Sequence, residues 1–304
     1  MIYTLTLNPS VDYIVGLDEV VLGGLNRIQA EAKFPGGKGI NVSLLLKSMG
    51  IDSIATGFIG GFTGDYVKKS LESKGIKTSF IEVDGETRIN VKLRAQEETE
   101  INGQGPSITS NDLETLKNRA RRLTSGDILL LAGSIPSKMP KSIYKELISI
   151  CKESGAEAVV DAEGELLKTV LPHKPFLIKP NHHELGQFFD TEIHSSEDAI
   201  LFGKKLVELG AQNVIVSLGG DGAVFINERM ALSAAAPKGD VQSTVGSGDS
   251  MVAGFLAKFI ETDTVKEAFR YSVAAGSATA FSIGLGSKEK ADELLNQVTI
   301  KEMN

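Results

Sequence analysis

Strand-like and helix-like segments alternate along most of this chain, and that alternation constrains its fold more than any other feature. Ile2 to Leu7 is β-branched and apolar, as a buried strand would be. Ile40 to Met49 reads as a helix and stops at Gly50, a residue free to adopt the left-handed conformation that ends helices. Ile54 to Ile59 reads as a strand, and Asp65 to Ser73 as a helix before Gly75. Further strands are predicted at Asp127–Leu131, Glu157–Asp161, Phe176–Lys179 and Asn213–Ser217. Thr109-Ser110-Asn111-Asp112 and Ser195-Ser196-Glu197-Asp198 carry the spacing of a capping box ahead of periodic runs. Repetition of this kind favours a mostly parallel sheet covered by helices on both faces.

Two segments break the rhythm. Val11 to Phe34 holds short strand-like pieces and Gly23-Gly24, without a strong helix. Arg88-Ile89-Asn90-Val91-Lys92-Leu93-Arg94-Ala95 alternates polar and apolar residues, the pattern of a strand with one buried and one wet face. The predicted fold is therefore α/β, with residues 1–10, 36–86 and 106–304 forming the core and residues 11–35 and 87–105 forming a small β-sheet lid. Two plain surface hairpins are the alternative for the lid segments.

The composition fits such a fold: 304 residues, 41% hydrophobic and 23% charged, can bury a sizeable core. A formal net charge of -7 argues against recruitment by nucleic acid or an anionic membrane. Cys151 is the lone cysteine, which excludes an internal disulfide and fits a reducing compartment. No apolar run approaches the ~20 residues of a bilayer span, and Met1 to Leu7 lacks the basic start of an export signal. A cytoplasmic protein is expected.

The strongest chemical signal is Gly246-Ser247-Gly248-Asp249, which feeds a small-residue, apolar run from Met251 to Phe259. A glycine turn at a helix start gathers unpaired N–H groups and the positive end of the helix dipole, a ready anion site. Asp249 there either caps the helix or stands beside a bound phosphoryl group and accepts the proton of an attacking hydroxyl. Phe34-Pro35-Gly36-Gly37-Lys38-Gly39 is a second glycine-rich helix start, with a lysine in it. Lys179-Pro180-Asn181-His182-His183-Glu184 lies where a strand gives way to a helix; Asn181 and Glu184, three apart, share a face and suit a hydrated Mg²⁺. Adjacent His182 and His183 point to different faces and complete no zinc spacing. Ser217-Leu218-Gly219-Gly220-Asp221-Gly222 is another glycine cluster at a strand end, while neither a P-loop nor a G-x-G-x-x-G after a strand is present.

In combination these residues resemble the ribokinase-like (PfkB) carbohydrate kinases. Gly36 to Asn41 and Thr244 to Phe255 look like the two family signatures, and Asn181-x-x-Glu184 looks like its magnesium-related motif, in the family's order and spacing. Thr6 to Asp12, Gly23 to Arg27, Phe34 to Lys38, Gly57 to Gly61 and Thr87 to Val91 are similar to members that phosphorylate fructose 1-phosphate at O6, with tagatose 6-phosphate kinases next to them. The resemblance implies ATP and Mg²⁺, leaves a monovalent cation open, and assigns Asp249 as base with Gly246, Ser247 and Gly248 as anion hole. It implies that Asp12, Gly37, Asn41 and Asn90 face the sugar, and that Lys38, Arg88, Ser134 and Arg27 converge on the phosphate the sugar already carries. It further implies that Lys179, Asn181, Ser217, Gly219 and Gly222 line the nucleotide site, that Ala275, Gly276 and Ala278 pack near adenine, and that Glu184 acts on the metal through water. Ser137-Lys138 after Pro136 departs from the family's usual proline and glycine. Exposed lid edges are expected to pair two copies into a homodimer.

Overall fold

The computed structural model describes residues 1–162 and 164–303. The chain opens with β1 (Ile2–Thr6), makes β2 (Ser10–Gly16) and β3 (Ala30–Gly36), and returns through α1 (Lys38–Ser48) to β4 (Ser53–Ile59). Then come α2 (Gly61–Glu72), β5 (Lys77–Glu82), β6 (Arg88–Arg94), β7 (Glu98–Asn102), α3 (Ser110–Ala120) and β8 (Ile128–Ala132). The middle of the chain holds α4 (Ile143–Ser154), β9 (Glu157–Asp161), α5 (Gly164–Val170), β10 (Leu177–Ile178), α6 (His182–Phe189), α7 (Ser196–Glu208) and β11 (Asn213–Ser217). It ends with β12 (Ala223–Asn227), β13 (Ala231–Ala234), α8 (Ser247–Thr262), α9 (Val265–Ala280), α10 (Lys288–Leu295) and β14 (Ile300–Met303).

Ten strands among the described residues form one sheet, in the order β14-β13-β12-β11-β10-β9-β8-β1-β4-β5. From β11 to β5 every pairing is parallel, and β12, β13 and β14 extend the edge as antiparallel strands. Buried on both faces, the central strands read as near-continuous apolar runs. Leu129, Leu131, Val214 and Val216 pack on one side with α3 to α7; Ile128, Leu130 and Ile215 pack on the other with α1, α8, α9 and α10. No helix among the described residues is long and apolar enough to cross a membrane.

Local signals behaved as their chemistry dictates. Thr109 and Asp112 form the complete capping box, and Ser195 accepts the Asp198 amide. Boundaries moved where packing outweighed pattern: the helix expected from Asp65 starts at Gly61, and the strand expected over Phe176–Lys179 shrinks to two residues.

The remaining strands form a separate four-stranded sheet, β3-β2-β6-β7, from the two segments that broke the rhythm. Strand β6 does put Arg88 and Asn90 opposite Ile89 and Val91. The more buried face is the polar one, however: Asn90 is 8% exposed and Ile89 40%. In β2 the other face is also covered, since Val11, paired with Ile89, packs with Ile40 and Ala55 of the core.

The junction between the sheets begins where β1 and β4 end. Gly57 pairs with Thr6 at φ 145°, and a Cβ there would collide with the Thr6 carbonyl oxygen. Gly57→Ala is expected to lower stability by about 2 kcal/mol or more, read as a fall in the denaturant midpoint. An unchanged midpoint would mean that β1 and β4 are not spaced by this contact.

Candidate active site

In open parallel sheets ligands collect beyond the carboxyl ends of the strands, where the strand order reverses. Here β1 has β4 on one side and β8 on the other, and the connections from these strands diverge. Asp161 ends β9, Lys179 and Asn181 follow β10, Ser217 ends β11, and Gly133-Ser134 follow β8, so all open on the same edge. An isolated bridge joins Asn181 to Ser217.

Two helix N-termini point into this edge. Gly246, with φ 80°, is the N-cap residue of α8, and Ser247, Gly248 and Asp249 form its first turn. First-turn amides lack intrahelical acceptors, so this turn can hold an anion. The Ser247 hydroxyl oxygen is buried with no partner among the described residues. A Cβ on Gly248 would lie 2.9 Å from Lys179 Nζ, which places that ammonium directly against the turn. Gly37 is the N-cap residue of α1, and Lys38 and Asn41 lie in the turn that follows.

Asp249 is 5% exposed, and its Oδ2 accepts a 2.8 Å hydrogen bond from Asn41 Nδ2. Its hydrogen bond therefore runs across the cleft from one helix start to the other. Burial first, and the nearby Asp161 carboxylate second, push its carboxyl up to about 6, while Asn41, Lys38 and Lys179 oppose the rise. A carboxylate in that range is poised to take a proton near neutrality.

Asp161, which the sequence reading did not single out, organises the charges. It is 3% exposed, with Lys38 Nζ 3.3 Å from Oδ2 and Lys179 Nζ 3.8 Å from Oδ1. Its signal was available: a carboxylate closing the apolar strand Glu157-Ala158-Val159-Val160-Asp161 sits at the ligand-binding end by construction. For Lys38, burial disfavours the charge, yet Asp161, Asp249 and Glu184 more than compensate and hold its ammonium above the usual range.

Glu184 and Asn181 form a capping box at the start of α6. Glu184 Oε2 accepts the Asn181 amide at 2.9 Å, and Asn181 Oδ1 accepts the Glu184 amide at 2.8 Å. Burial raises the Glu184 carboxyl against this backbone bond and the neighbouring lysines. No three His, Cys, Asp or Glu side chains among the described residues converge to cage a metal. The Glu184 carboxylate would suit a divalent cation that keeps several of its waters.

On the second sheet, Ser10, Asp12, Arg88 and Asn90 share one face. Asp12 Oδ1 accepts from Ser10 Oγ at 2.7 Å and from Asn90 Nδ2 at 3.2 Å. Arg88 donates to the Asn8 carbonyl at 3.2 Å and the Gly103 carbonyl at 3.4 Å. Of the cations expected to meet a phosphate, Lys38 turns to Asp161, Arg88 to backbone carbonyls, and Arg27 is exposed on the β2–β3 loop. Ser134 stands next to Gly133, whose carbonyl is fixed by a 3.0 Å bond from the buried Tyr144 hydroxyl. Gly219 borders open space, whereas Gly222 packs against the Ala234–Ala236 backbone. Ala275 and Gly276 serve helix packing against Gly254 and Met251 of α8, and Ala278 lies under Gly286.

A family model for pfkB family carbohydrate kinases matches residues 5–292. Over 303 residues, 100% of both chains, the sequence is 51% identical to 1-phosphofructokinase of Bacillus subtilis (strain 168). It is 39% identical over 304 residues, again 100% of both, to D-tagatose-1-phosphate kinase of Bacillus licheniformis. The crystal structure of phosphofructokinase-2 from Escherichia coli in complex with potassium matches with a TM-score of 0.91 at 30% identity, covering 97% of this chain and 98% of that one. The glycine-rich helix start, its buried carboxylate and the second sheet are thus features of a chain that belongs to the pfkB family of carbohydrate kinases.

Proposed function

We propose that this enzyme transfers the γ-phosphoryl group of ATP to O6 of fructose 1-phosphate, giving fructose 1,6-bisphosphate and ADP. The observation that carries the chemistry is a buried carboxylate, Asp249, in the first turn of α8 and bonded across the cleft to Asn41. The full-length likeness to the Bacillus subtilis 1-phosphofructokinase supports the choice of acceptor.

A sugar hydroxyl ionises far above neutral pH, so its attack needs a base. Asp249 accepts the O6 proton as the O6–phosphorus bond forms and the bond to the ADP oxygen breaks. Amides of Gly248 and Asp249, the Ser247 hydroxyl and Lys179 receive the charge growing on the phosphoryl oxygens, and need no rearrangement to do so. Asn181, Ser217 and Gly219 border the nucleotide, while Asp12, Asn41 and Asn90 hold sugar hydroxyls. Arg88 and Ser134 face the acceptor's own phosphate. Magnesium, held by Glu184 through water, would neutralise the nucleotide phosphates. The potassium complex of the Escherichia coli relative supports including potassium in assays. The second sheet acts as a lid that keeps water from the phosphoryl group. Its exposed Ile89 and Ile101, 40% and 58% accessible, support pairing of two lids in a homodimer. A lone, buried cysteine supports a cytoplasmic setting.

Asp249→Asn is expected to lower kcat by ~10²–10⁴ while leaving ATP and sugar-phosphate binding within a few-fold. In the parent, the base must be ionised, so kcat/KM should fall as pH drops through about 6. Near-parental turnover in the variant would remove Asp249 from the mechanism.

Glutamine can replace glutamate in a capping box, so Glu184→Gln keeps the helix start and deletes the charge. The magnesium concentration for half-maximal rate should rise by several-fold or more, with the acceptor KM little changed. An unaltered magnesium titration would reduce Glu184 to a cap.

Fructose 1-phosphate should show a far higher kcat/KM than fructose 6-phosphate, tagatose 6-phosphate or free fructose. Arg88→Ala should penalise the phosphorylated acceptors by roughly 1.5–3 kcal/mol. Preference for free fructose would overturn the acceptor-phosphate argument, whereas preference for tagatose 6-phosphate would move the substrate and keep the chemistry.

A further inference from the structure

Lys92 has no part in the reaction just described, yet it lies on the same face of β6 as Arg88 and Asn90, two residues beyond Asn90. Its Nζ is 3.6 Å from Asp12 Oδ2 and 3.6 Å from Glu100 Oε1, a carboxylate on β7 at the outer edge of the lid. We infer that Lys92 is a positioning residue for the acceptor sugar, fixing the Asp12 carboxylate so that Oδ2 is presented to a sugar hydroxyl. The inference rests on the sugar-kinase reading of this cleft.

The two oxygens of Asp12 are treated differently by their surroundings. Oδ1 takes the Ser10 hydroxyl and the Asn90 amide, both in the lid sheet. Gly36 makes room for that arrangement, since a Cβ there would collide with Asp12 Oδ1 and Ser10 Oγ. Oδ2 faces Lys92 at ion-pair distance, beyond the 2.7–3.2 Å of a formed N–H···O bond. Its lone pairs are therefore still available to a hydroxyl donor, while the ammonium fixes which way the carboxylate rotates. Next to it, Asn90 Oδ1 is buried without a partner among the described residues, a second acceptor on the same face. Lys92 and Asp12 side chains are 27% and 22% exposed, so their attraction is screened less than that of a surface pair. Glu100, 54% exposed, holds the ammonium from the rim. Lys92 is absent from the charges that act on Asp249, which are Asp161, Lys38 and Lys179. Its loss should therefore be felt in acceptor binding and not in the chemical step.

The test is steady-state kinetics of Lys92→Met, Lys92→Arg and Glu100→Gln at saturating ATP and magnesium, with thermal unfolding of each variant. Lys92→Met is expected to raise the KM of the best acceptor about ten-fold, as for a lost charged contact, with kcat and the KM for ATP within about two-fold. Lys92→Arg should recover the acceptor KM to within about three-fold, and Glu100→Gln should leave it within about two-fold. If Lys92→Met melts early, Lys92→Gln takes its place under the same criteria. An unchanged acceptor KM, an equal loss in kcat, or no rescue by arginine overturns the inference. A larger effect from Glu100→Gln also overturns it, because the lysine would then serve the lid edge. A parent enzyme inactive on every sugar phosphate sinks the reading of the cleft itself, whereas an active parent indifferent to Lys92→Met sinks the positioning role alone.

Discussion

The ion cluster around Asp161 is the constraint on which the site depends. Two lysines, one at the start of α1 and one just after β10, lean on a single buried carboxylate at the end of β9. Buried charges are tolerated when paired, and removing one partner strands the rest at a cost of several kcal/mol. Asp161 therefore does two things at once. It neutralises much of the lysine charge while no phosphate is bound, and it raises the proton affinity of Asp249 across the cleft.

The sheet order explains why these groups meet. β9, β10 and β11 are consecutive neighbours in a parallel sheet, so the residues leaving their carboxyl ends are brought side by side. The helices α1 and α8 then aim two N-termini at the same edge, and Asn41 and Asp249 join them by one hydrogen bond. The dipole of α8 favours negative charge at its first turn, while burial of Asp249 keeps its affinity for a proton high. The two effects act on different atoms of one helical turn.

Much of this was legible in the sequence because local chemistry and global fold agree. Strand–helix alternation gave the parallel sheet, the glycine turns gave the helix starts, and Thr109 and Ser195 marked their helices in advance. The segments that broke the rhythm became the second sheet. What remained hidden was tertiary. Alternation in β6 shows that two faces differ, but which face is buried depends on what the sheet covers. The strand end marks Asp161 as a candidate, but its meaning comes from lysines 123 and 18 residues away. Ala275 and Gly276 also let α9 pack closely against Gly254 and Met251 of α8, which their small size alone does not announce.

The second sheet has no continuous stretch of chain to itself. Its central pair, β2 and β6, joins residues such as Asp12 and Asn90 that are 78 positions apart, and β4 and β5 of the core lie in the interval. Closing so long a loop is entropically expensive until the intervening strands have already brought its ends together. Pairing β2 with β6 is therefore easier once β4 and β5 stand beside β1. A chain that stops short of β6 can pair β2 only with β3, and lacks Arg88, Asn90 and Lys92 on that face.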